Sequence, residues 1–382
     1  QDLIKNSNKT VFITTYGLMR EDIDYYEQIN YHAVILDEAQ NIKNPHAGIT
    51  KSSKRLKSFV KFALTGTPLE NSATELWSIF DFIMPGYLSK FDKFSSKYKV
   101  HEFDDKTNEL LDNLRKQISP FILRRKKNDV IKELPPKIEN NIFIDLSDEQ
   151  KKIYVAELDK VKSSIDEAMK EGGMSKVRFM ILPLLTKLRQ ICIDPRIVYT
   201  DYDGGSNKIE RFLSIVEELV NNNHKILVFT SFRTALNIVK VELESTNIKC
   251  YTMDGSVSSK ERMERVNSFN NSDDVKVFLI MLKSGGTGLN LASSDIVIHL
   301  DLWWNPQAEN QATDRAHRIG QTNTVEVIRL VSKGTIEEKV LDLQEKKKEL
   351  SEKLIDAESL DQNLIGELTE KDIKELLAYE NK

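Results

Sequence analysis

The sequence predicts an α/β protein: parallel sheets flanked by helices, in two stretches separated by a helical insertion. Two observations carry this reading. Short β-branched or aromatic runs, each ending in polar residues or glycine, alternate with amphipathic helical segments before about residue 70 and again after about residue 207. Between those stretches the apolar residues recur every three or four positions, the period of a helix. The length of 382 residues gives room for two to three domains, and 40 % hydrophobic with 30 % charged residues is ordinary for a folded chain.

Taken in order, Val11–Thr15, Ala33–Leu36 and Phe59–Leu64 read as strands. From Leu69 the period changes: Leu69, Ala73, Leu76, Trp77, Phe80, Ile83 and Met84 form a helix face, with Ser72 and Glu75 placed as a capping box and Pro85-Gly86 as the stop. Residues 90–118 are charged, helical or loop. Arg124-Arg125-Lys126-Lys127 and Leu134-Pro135-Pro136-Lys137 then read as an extended basic connector, because proline disfavours helix before it. Ser147 and Gln150 suit a second capping box, and Tyr154, Leu158, Val161, Ile165 and Ala168 make a stripe. Gly172-Gly173 breaks it, and a further helix runs to about Cys192, with a kink expected at Pro183. A polar linker at Asp201–Asn207 precedes strands at Ile226–Phe229, Cys250–Met253, Val275–Met281, Ile296–Leu300 and Val325–Val331. Thr335 with Glu338 opens a charged helix carrying Ile336, Val340, Leu343 and Leu350, and the tail to Lys382 is weakly amphipathic.

Composition excludes several classes. Fifty-five Lys and Arg against 59 Asp and Glu leave a net charge of −4, which argues against a uniformly basic coat but permits a local basic cleft. No apolar run approaches the roughly 18–20 residues of a membrane span. Two cysteines, Cys192 and Cys250, make neither a disulfide framework nor a four-ligand zinc site, so a reducing, intracellular setting is expected.

Four segments suit phosphate chemistry. His32–Gln40 places Asp37 and Glu38 directly after an apolar strand, where one carboxylate can hold hydrated Mg²⁺ and its neighbour can orient an attacking water. An isolated strand ending in Asp-Glu is more often one that simply meets solvent. Leu64-Thr65-Gly66-Thr67-Pro68 forms a tight turn whose hydroxyls can relay between ligands, though alone it is a common turn composition. In Trp303–Gln321, Asn305 caps a helix, Pro306 opens it and Gly320 ends it. On that helix Gln311, Arg315 and Arg318 fall at i, i+4 and i+7, on one face suited to a polyphosphate or simply to solvent. Lys283–Leu291 holds three glycines with Ser284 and Thr287, which lets backbone N–H groups approach phosphate; alone it is a loose glycine-rich turn.

In this order, at strand ends and with a helical insertion between, the segments resemble the Swi/Snf family of DNA-translocating ATPases within helicase superfamily two. The resemblance runs from about Val11 to Leu343. It includes Val11-Phe12-Ile13-Thr14-Thr15-Tyr16, Leu64–Asn71, Phe121-Ile122-Leu123-Arg124-Arg125, Leu134–Lys137, Leu188-Arg189-Gln190-Ile191-Cys192 and Val228–Phe232. His317-Arg318-Ile319-Gly320-Gln321 after Trp303-Trp304-Asn305-Pro306 is its most specific part.

The resemblance implies RecA-like parallel-sheet lobes, the first incomplete and the second complete, with Swi/Snf-type helical insertions. The expected divisions are 1–70 (rear of lobe 1), 71–120 (first protrusion), 121–145 (basic connector), 146–200 (second protrusion), 201–334 (lobe 2) and 335–382 (brace and tail). Asp37 and Glu38 match the Mg²⁺-binding and water-activating carboxylates, with Gln40 completing the DEAQ motif. Arg315 and Arg318 match paired arginine fingers, and Gln311 and Gly288 join the ATP-facing surface of the second lobe. Thr14 and Thr15 match first-lobe contacts to the DNA backbone; Thr230, Ser231, Ser284 and Gly285 match those of the second lobe. Trp303 and Trp304 are expected to pack and close the lobes, and Arg124 and Arg125 to brace the lobes or touch DNA. Asp194-Pro195 departs from the His-Pro of many members.

The implied activity is ATP hydrolysis, with Mg²⁺, between two lobes, driving movement along double-stranded DNA and displacing a bound protein such as RNA polymerase or a nucleoid protein. A monomer off the membrane is expected, cytoplasmic and nucleoid-associated if bacterial, nuclear if eukaryotic; compact insertions and a short tail look bacterial. No Gly-x-x-x-x-Gly-Lys-[Ser/Thr] phosphate loop occurs, the adenine-reading segment is missing, and the first residue is Gln1. The chain is therefore expected to be an N-terminally truncated fragment, inactive alone. A strand-separating helicase and a non-catalytic DNA- or protein-binding scaffold stand as alternatives.

Overall fold

The structure is a computed structural model that describes residues 10–66, 73–98, 105–123, 125, 134–282, 289–353, 373, 376 and 377. The chain divides into two compact units, Gln1–Arg124 with Lys353–Asn363 and Arg125–Glu352 with Leu364–Lys382. Among the described residues no helix is long and apolar enough to cross a membrane.

The first unit contains α1 (Tyr16–Glu21), α2 (Ile23–Tyr26), β1 (Asn30–Leu36), α3 (Gly48–Arg55), β2 (Lys57–Ala63), α4 (Ala73–Ile83), α5 (Phe91–Tyr98) and α6 (Asp105–Ile118). β1 and β2 pair in parallel, Ala33 opposite Val60 and Leu36 opposite Ala63. Helix α4 joins the sheet to the helical layer because it is apolar on two sides. Ile79 and Phe82 meet Leu36, Ala39 and Ile42, while Leu76, Trp77 and Phe80 meet Leu88, Phe94, Tyr98, Leu114 and Ile118. The expected strand at Val11–Thr15 does not form: the segment is extended without ladder bonds, and Ile13 is 95 % exposed. An apolar β-branched run becomes a strand only where a neighbouring backbone takes its N–H and C=O groups. The start of the helix expected from Leu69 lies outside the described residues.

The second unit opens with β3 (Lys137–Ile144) and α7 (Asp148–Ile193), followed by α8 (Asn207–Asn221), β4 (Ile226–Thr230), α9 (Arg233–Ser245), β5 (Cys250–Met253) and α10 (Ser259–Asn271). Then come β6 (Val277–Met281), β7 (Ile296–His299), α11 (Pro306–Thr313), β8 (Val325–Ser332) and α12 (Ile336–Lys353). The sheet order is β3-β8-β7-β4-β6-β5, parallel throughout. Its central strands are covered on both faces, which is why they read as unbroken apolar runs. Ile226 and Val228 of β4 face α8 and α9, whose Phe212, Val216, Leu236 and Val239 lie in the same core. Leu227 and Phe229 face Phe269 of α10 and Ala312 of α11 on the other side. Residues 137–144, expected within a connector, form the edge strand β3, paired to β8 from Lys137–Val325 to Ile144–Ser332.

Helix α7 is a hairpin. Ser147 caps it by accepting the Gln150 N–H, as the spacing predicts, and at Gly173 the backbone leaves the helix at φ 61, ψ −160, a region open to glycine. The two arms then run back to back, since Gln150 Nε2 donates to Ile191 O (2.8 Å). The predicted stripe from Tyr154 to Ala168 is buried against Val177, Ile181, Leu185 and Leu188 of the second arm. Each buried Leu, Ile or Val among them contributes about 1.5–3 kcal/mol of apolar burial. At the hairpin's exit Asp194 caps the next turn by accepting the Arg196 N–H and grips the Arg196 guanidinium, which reaches Glu242 of α9 at 2.9 Å.

Candidate functional site

In the first unit β1 hands over directly to Asp37-Glu38-Ala39-Gln40. The loop after β2 fixes this turn from both sides: Leu64 N–H donates to Leu36 O and Ala39 N–H to Leu64 O, each at 2.8 Å. Glu38 sits in the left-handed region (φ 49, ψ 53), uncommon for a side chain of its size. Three side-chain hydrogen bonds hold it there, beside the backbone bond from Asn41 N–H to Glu38 O (3.0 Å). Asp37 Oδ1 accepts its N–H (2.9 Å), Asn41 Nδ2 donates to its carbonyl (2.9 Å), and Gln40 Nε2 donates to its Oε2 (2.6 Å). Gln40 is itself held by the Thr65 hydroxyl, which donates to Gln40 Oε1 at 2.8 Å. The two threonine- and carboxylate-bearing segments singled out in the sequence thus meet through one amide.

Thr14 and Thr15 are exposed, and Thr15 caps α1. The next residue, Tyr16, donates its phenol to Asp37 O at 2.8 Å. Burial, followed by the charges of Asp37 and Glu38, pushes that phenol up to about 12. Asp37 is exposed and oriented by one N–H, which suits a Mg²⁺ that keeps most of its waters and takes one or two carboxylates beside phosphate oxygens. Among the described residues no group of three or more His, Cys, Asp or Glu could hold a metal.

In the second unit β4 is the strand at which the order reverses, with β6 on one side and β7 on the other. Crevices beyond the carboxyl ends of strands at such a point are where open α/β sheets bind ligands. Thr230 ends β4, but it is buried and its hydroxyl donates to Asp301 Oδ1 (2.8 Å). The Ser231 N–H donates to the same oxygen (2.8 Å), and the Phe232 N–H to Thr230 Oγ1 (3.3 Å). Thr230 shapes this turn from inside it. Ser284, Gly285 and Gly288 lie outside the described residues, as does Arg124; Arg125 is exposed.

The arginine segment differs from the helix that its spacing predicts. Asn305 caps α11 and Pro306 opens it, but the helix ends at Thr313, so Arg315 and Arg318 lie in the following turns and share no helical face with Gln311. Tertiary bonds override the local signal. Arg315 O accepts the Leu291 N–H (3.1 Å), Arg318 Nη1 donates to Leu289 O (3.0 Å), and the His317 ring bonds Pro135 O (2.8 Å). Gln321 Nε2 reaches Ala292 O and Ser294 O, while its Oε1 accepts the Thr322 and Asn323 N–H groups. Gln311, Arg315 and Arg318 are each half-buried, on the same side of the sheet as residues 289–291.

Sequence reasoning missed the supports beneath this surface. Glu309 of α11 is buried; its Oε1 accepts the Trp303 N–H (2.6 Å) and Gln344 Nε2 of α12 (3.0 Å), and its Oε2 faces Arg329 Nε (3.3 Å). Burial pushes this carboxyl above the ordinary range. Trp304 lies in the core shared by the hairpin and α12. Lys208 of α8 and Glu337 of α12 form a second buried pair. Glu309 and Glu337 stand in amphipathic or charged stretches, so no local signal marks them.

Comparison with known proteins accounts for both halves of this arrangement. A profile of the SNF2-related domain matches residues 1–197, and one of the helicase conserved C-terminal domain matches residues 207–320. An uncharacterized ATP-dependent helicase of Mycoplasma genitalium is 40 % identical over 347 residues, covering 90 % of this chain and 33 % of its own length. YwqA of Bacillus subtilis is 38 % identical over 379 residues, covering 97 % of this chain and 40 % of its own. The chain thus spans between a third and two fifths of these curated relatives. A solved Sulfolobus solfataricus SWI2/SNF2 ATPase core, in complex with dsDNA, is 37 % identical with a TM-score of 0.54, covering 96 % of this chain and 77 % of that one. The parallel sheets with flanking helices match that core. The chain belongs to the SNF2 family.

Proposed function

We propose that this chain contributes to an ATP-dependent double-stranded DNA translocase that displaces or remodels DNA-bound protein. The observation that carries the hydrolytic part is the turn at the end of β1, where Glu38 is held in a left-handed conformation by Asp37, Asn41 and Gln40, and Gln40 by Thr65. In this reading Asp37 holds Mg²⁺ through water and Glu38 orients the attacking water. Bound Mg²⁺ supplies charge neutralisation at the phosphate oxygens. Arg315 and Arg318 stabilise charge developing on the γ-phosphate, an effect worth about 10³–10⁵ in rate. Gln311 and Gly288 complete the nucleotide face of the second unit.

The DNA part is supported by likeness to a core solved with dsDNA. Thr14 and Thr15 in the first unit, and Ser284 and Gly285 in the second, meet the phosphate backbone, while Thr230 and Ser231 hold the neighbouring DNA-facing turn from inside it. Hydroxyls and amides there position the duplex without reading bases. In this reading the protein is monomeric, cytoplasmic and nucleoid-associated and acts against RNA polymerase or a nucleoid protein; the bacterial relatives support the bacterial setting alone.

The test is Arg318→Ala in the full-length gene product. DNA-stimulated ATP hydrolysis should fall about 10³-fold or more, with duplex affinity kept. Turnover that survives, or affinity lost along with it, refutes the finger assignment. Absence of DNA-stimulated hydrolysis in the unaltered protein refutes the translocase.

A further inference from the structure

We propose that Asp301, locked by Arg189, is a positioning residue that sets the turn at residues 230–232 and ties it to the α7 hairpin. This role presupposes that the turn faces DNA, as proposed above.

The pair is buried almost completely: the Arg189 side chain is 2 % exposed and that of Asp301 is 0 %. Two charges removed from water are a costly way to fill space, and an apolar pair of similar volume is often as stable. What the charges add is direction. Arg189 Nη2 donates to Asp301 Oδ2 (2.9 Å) and to Leu302 O, while its guanidinium lies 5.3 Å from the Phe232 ring, 5.4 Å from Trp303 and 5.7 Å from Trp304. Held this way, Asp301 turns its other oxygen to β4, where Oδ1 accepts both the Thr230 hydroxyl and the Ser231 N–H. Thr230 then accepts the Phe232 N–H, which starts α9.

Asp301 thereby engages the Thr230 hydroxyl and the Ser231 N–H from below, and Thr230 passes the hold on to the Phe232 N–H. Ser231 Oγ is itself buried without a hydrogen-bond partner among the described residues, so what the turn presents outward is Arg233, whose pose depends on where Asp301 stands. Arg233 is 66 % exposed and lies 2.9 Å from Asp254. Because Arg189 belongs to the second arm of α7, displacement of the hairpin acts on the turn through two hydrogen bonds and no flexible linker.

The experiment compares duplex affinity, by fluorescence anisotropy over a salt series, with amide exchange at Ser231 and Phe232 in this chain. Asp301→Asn keeps the size and one acceptor but places an amide donor against Arg189. It also removes a negative charge, so a general electrostatic effect would tighten DNA binding. Positioning predicts the opposite sign: affinity down about tenfold, the loss of one charge-assisted hydrogen bond. The salt slope should fall by about 1, because the contact displaced is the Arg233 charge. Exchange at Ser231 and Phe232 should rise while that of α10 stays at the unaltered level. Thr230→Val should reproduce both changes and Thr230→Ser should restore them, which decides the matter if Asp301→Asn fails to fold. Tighter or unchanged binding with unaltered exchange overturns the role. Should the unaltered chain not bind duplex, the DNA reading falls, and exchange at residues 231 and 232 still decides whether Asp301 sets the turn.

Discussion

Replacing Glu337 by Gln tests how the α12 helix is held to the second unit. Lys208 is 1 % exposed and Glu337 0 %, and the carboxylate also accepts the Ser332 N–H at 2.8 Å. The Lys208 ammonium has two further acceptors, Leu330 O at 3.1 Å and Leu300 O at 3.4 Å. Glutamine keeps the shape but leaves that ammonium buried beside neutral oxygens. Removing one partner of a buried pair costs about 3–5 kcal/mol, and the two carbonyls place this case near ~3. With a urea m-value of about 3 kcal/mol/M for a unit of this size, the unfolding midpoint falls by ~1 M. Urea titration followed by Trp303 and Trp304 emission, in a Trp77→Phe background so that only the second unit reports, measures this directly. The double variant Lys208→Met, Glu337→Leu removes both charges and should recover to within about 1 kcal/mol of the unaltered unit. A midpoint that moves less than about 0.3 M in Glu337→Gln, or a double variant as unstable as the single, refutes the reasoning.

Three other substitutions probe separate layers. Burial, reinforced by Arg329, pushes His299 down to about 3, so as pH falls through about 6.5 the unfolded chain binds a proton that the folded one does not. That costs ~1.4 kcal/mol per pH unit below 6.5, or ~2 kcal/mol by pH 5; His299→Gln should remove this component, and equal pH slopes in the two proteins would contradict it. Leu185→Ala, at a site with 0 % exposure between the arms of α7, should cost about 2–5 kcal/mol in the same urea assay. Tyr16→Phe should cost the first unit ~1 kcal/mol, read from Trp77 emission, and should remove one phenolate from the absorbance titration near pH 12.

Sequence patterns revealed most strands of the second unit because those strands are apolar on both faces. β5 matches its expected span, and β4, β6, β7 and β8 differ from theirs by one or two residues at an end. β3 was invisible for the converse reason. It stands at the edge, its Glu139, Asn140 and Asn141 meet solvent, and two prolines precede it. The end of α11 was misplaced because Gly320 is a good local stop, while the chain leaves the helix earlier to bond residues 289–294 and Pro135. At the candidate site, carboxylates at a strand end are a local signal, and Asp37 and Glu38 stand where that signal puts them. The groups that orient their neighbours are not local: Asp301 meets Arg189 across 112 residues, and Gln344 meets Glu309 across 35. Only folding brings such pairs into one sentence of chemistry.

The strand order also bears on how the second unit is made. Among the described residues β3 pairs only with β8, whose first residue is synthesised ~190 residues after its own. At about 5–20 residues per second, a ribosome separates the two by roughly 10–40 seconds. Throughout that interval β3 has no ladder, and from the synthesis of His299 onward β7, destined for the interior, is the edge of the nascent sheet. The final strand is inserted between them, as the staple that closes a sheet whose two ends were waiting. A chain stalled before Ser332 therefore displays an apolar, unpaired β7 edge, the feature that templates aggregation and attracts chaperones. Slow translation across residues 300–332 is therefore expected to lower yield without changing the stability of the finished fold.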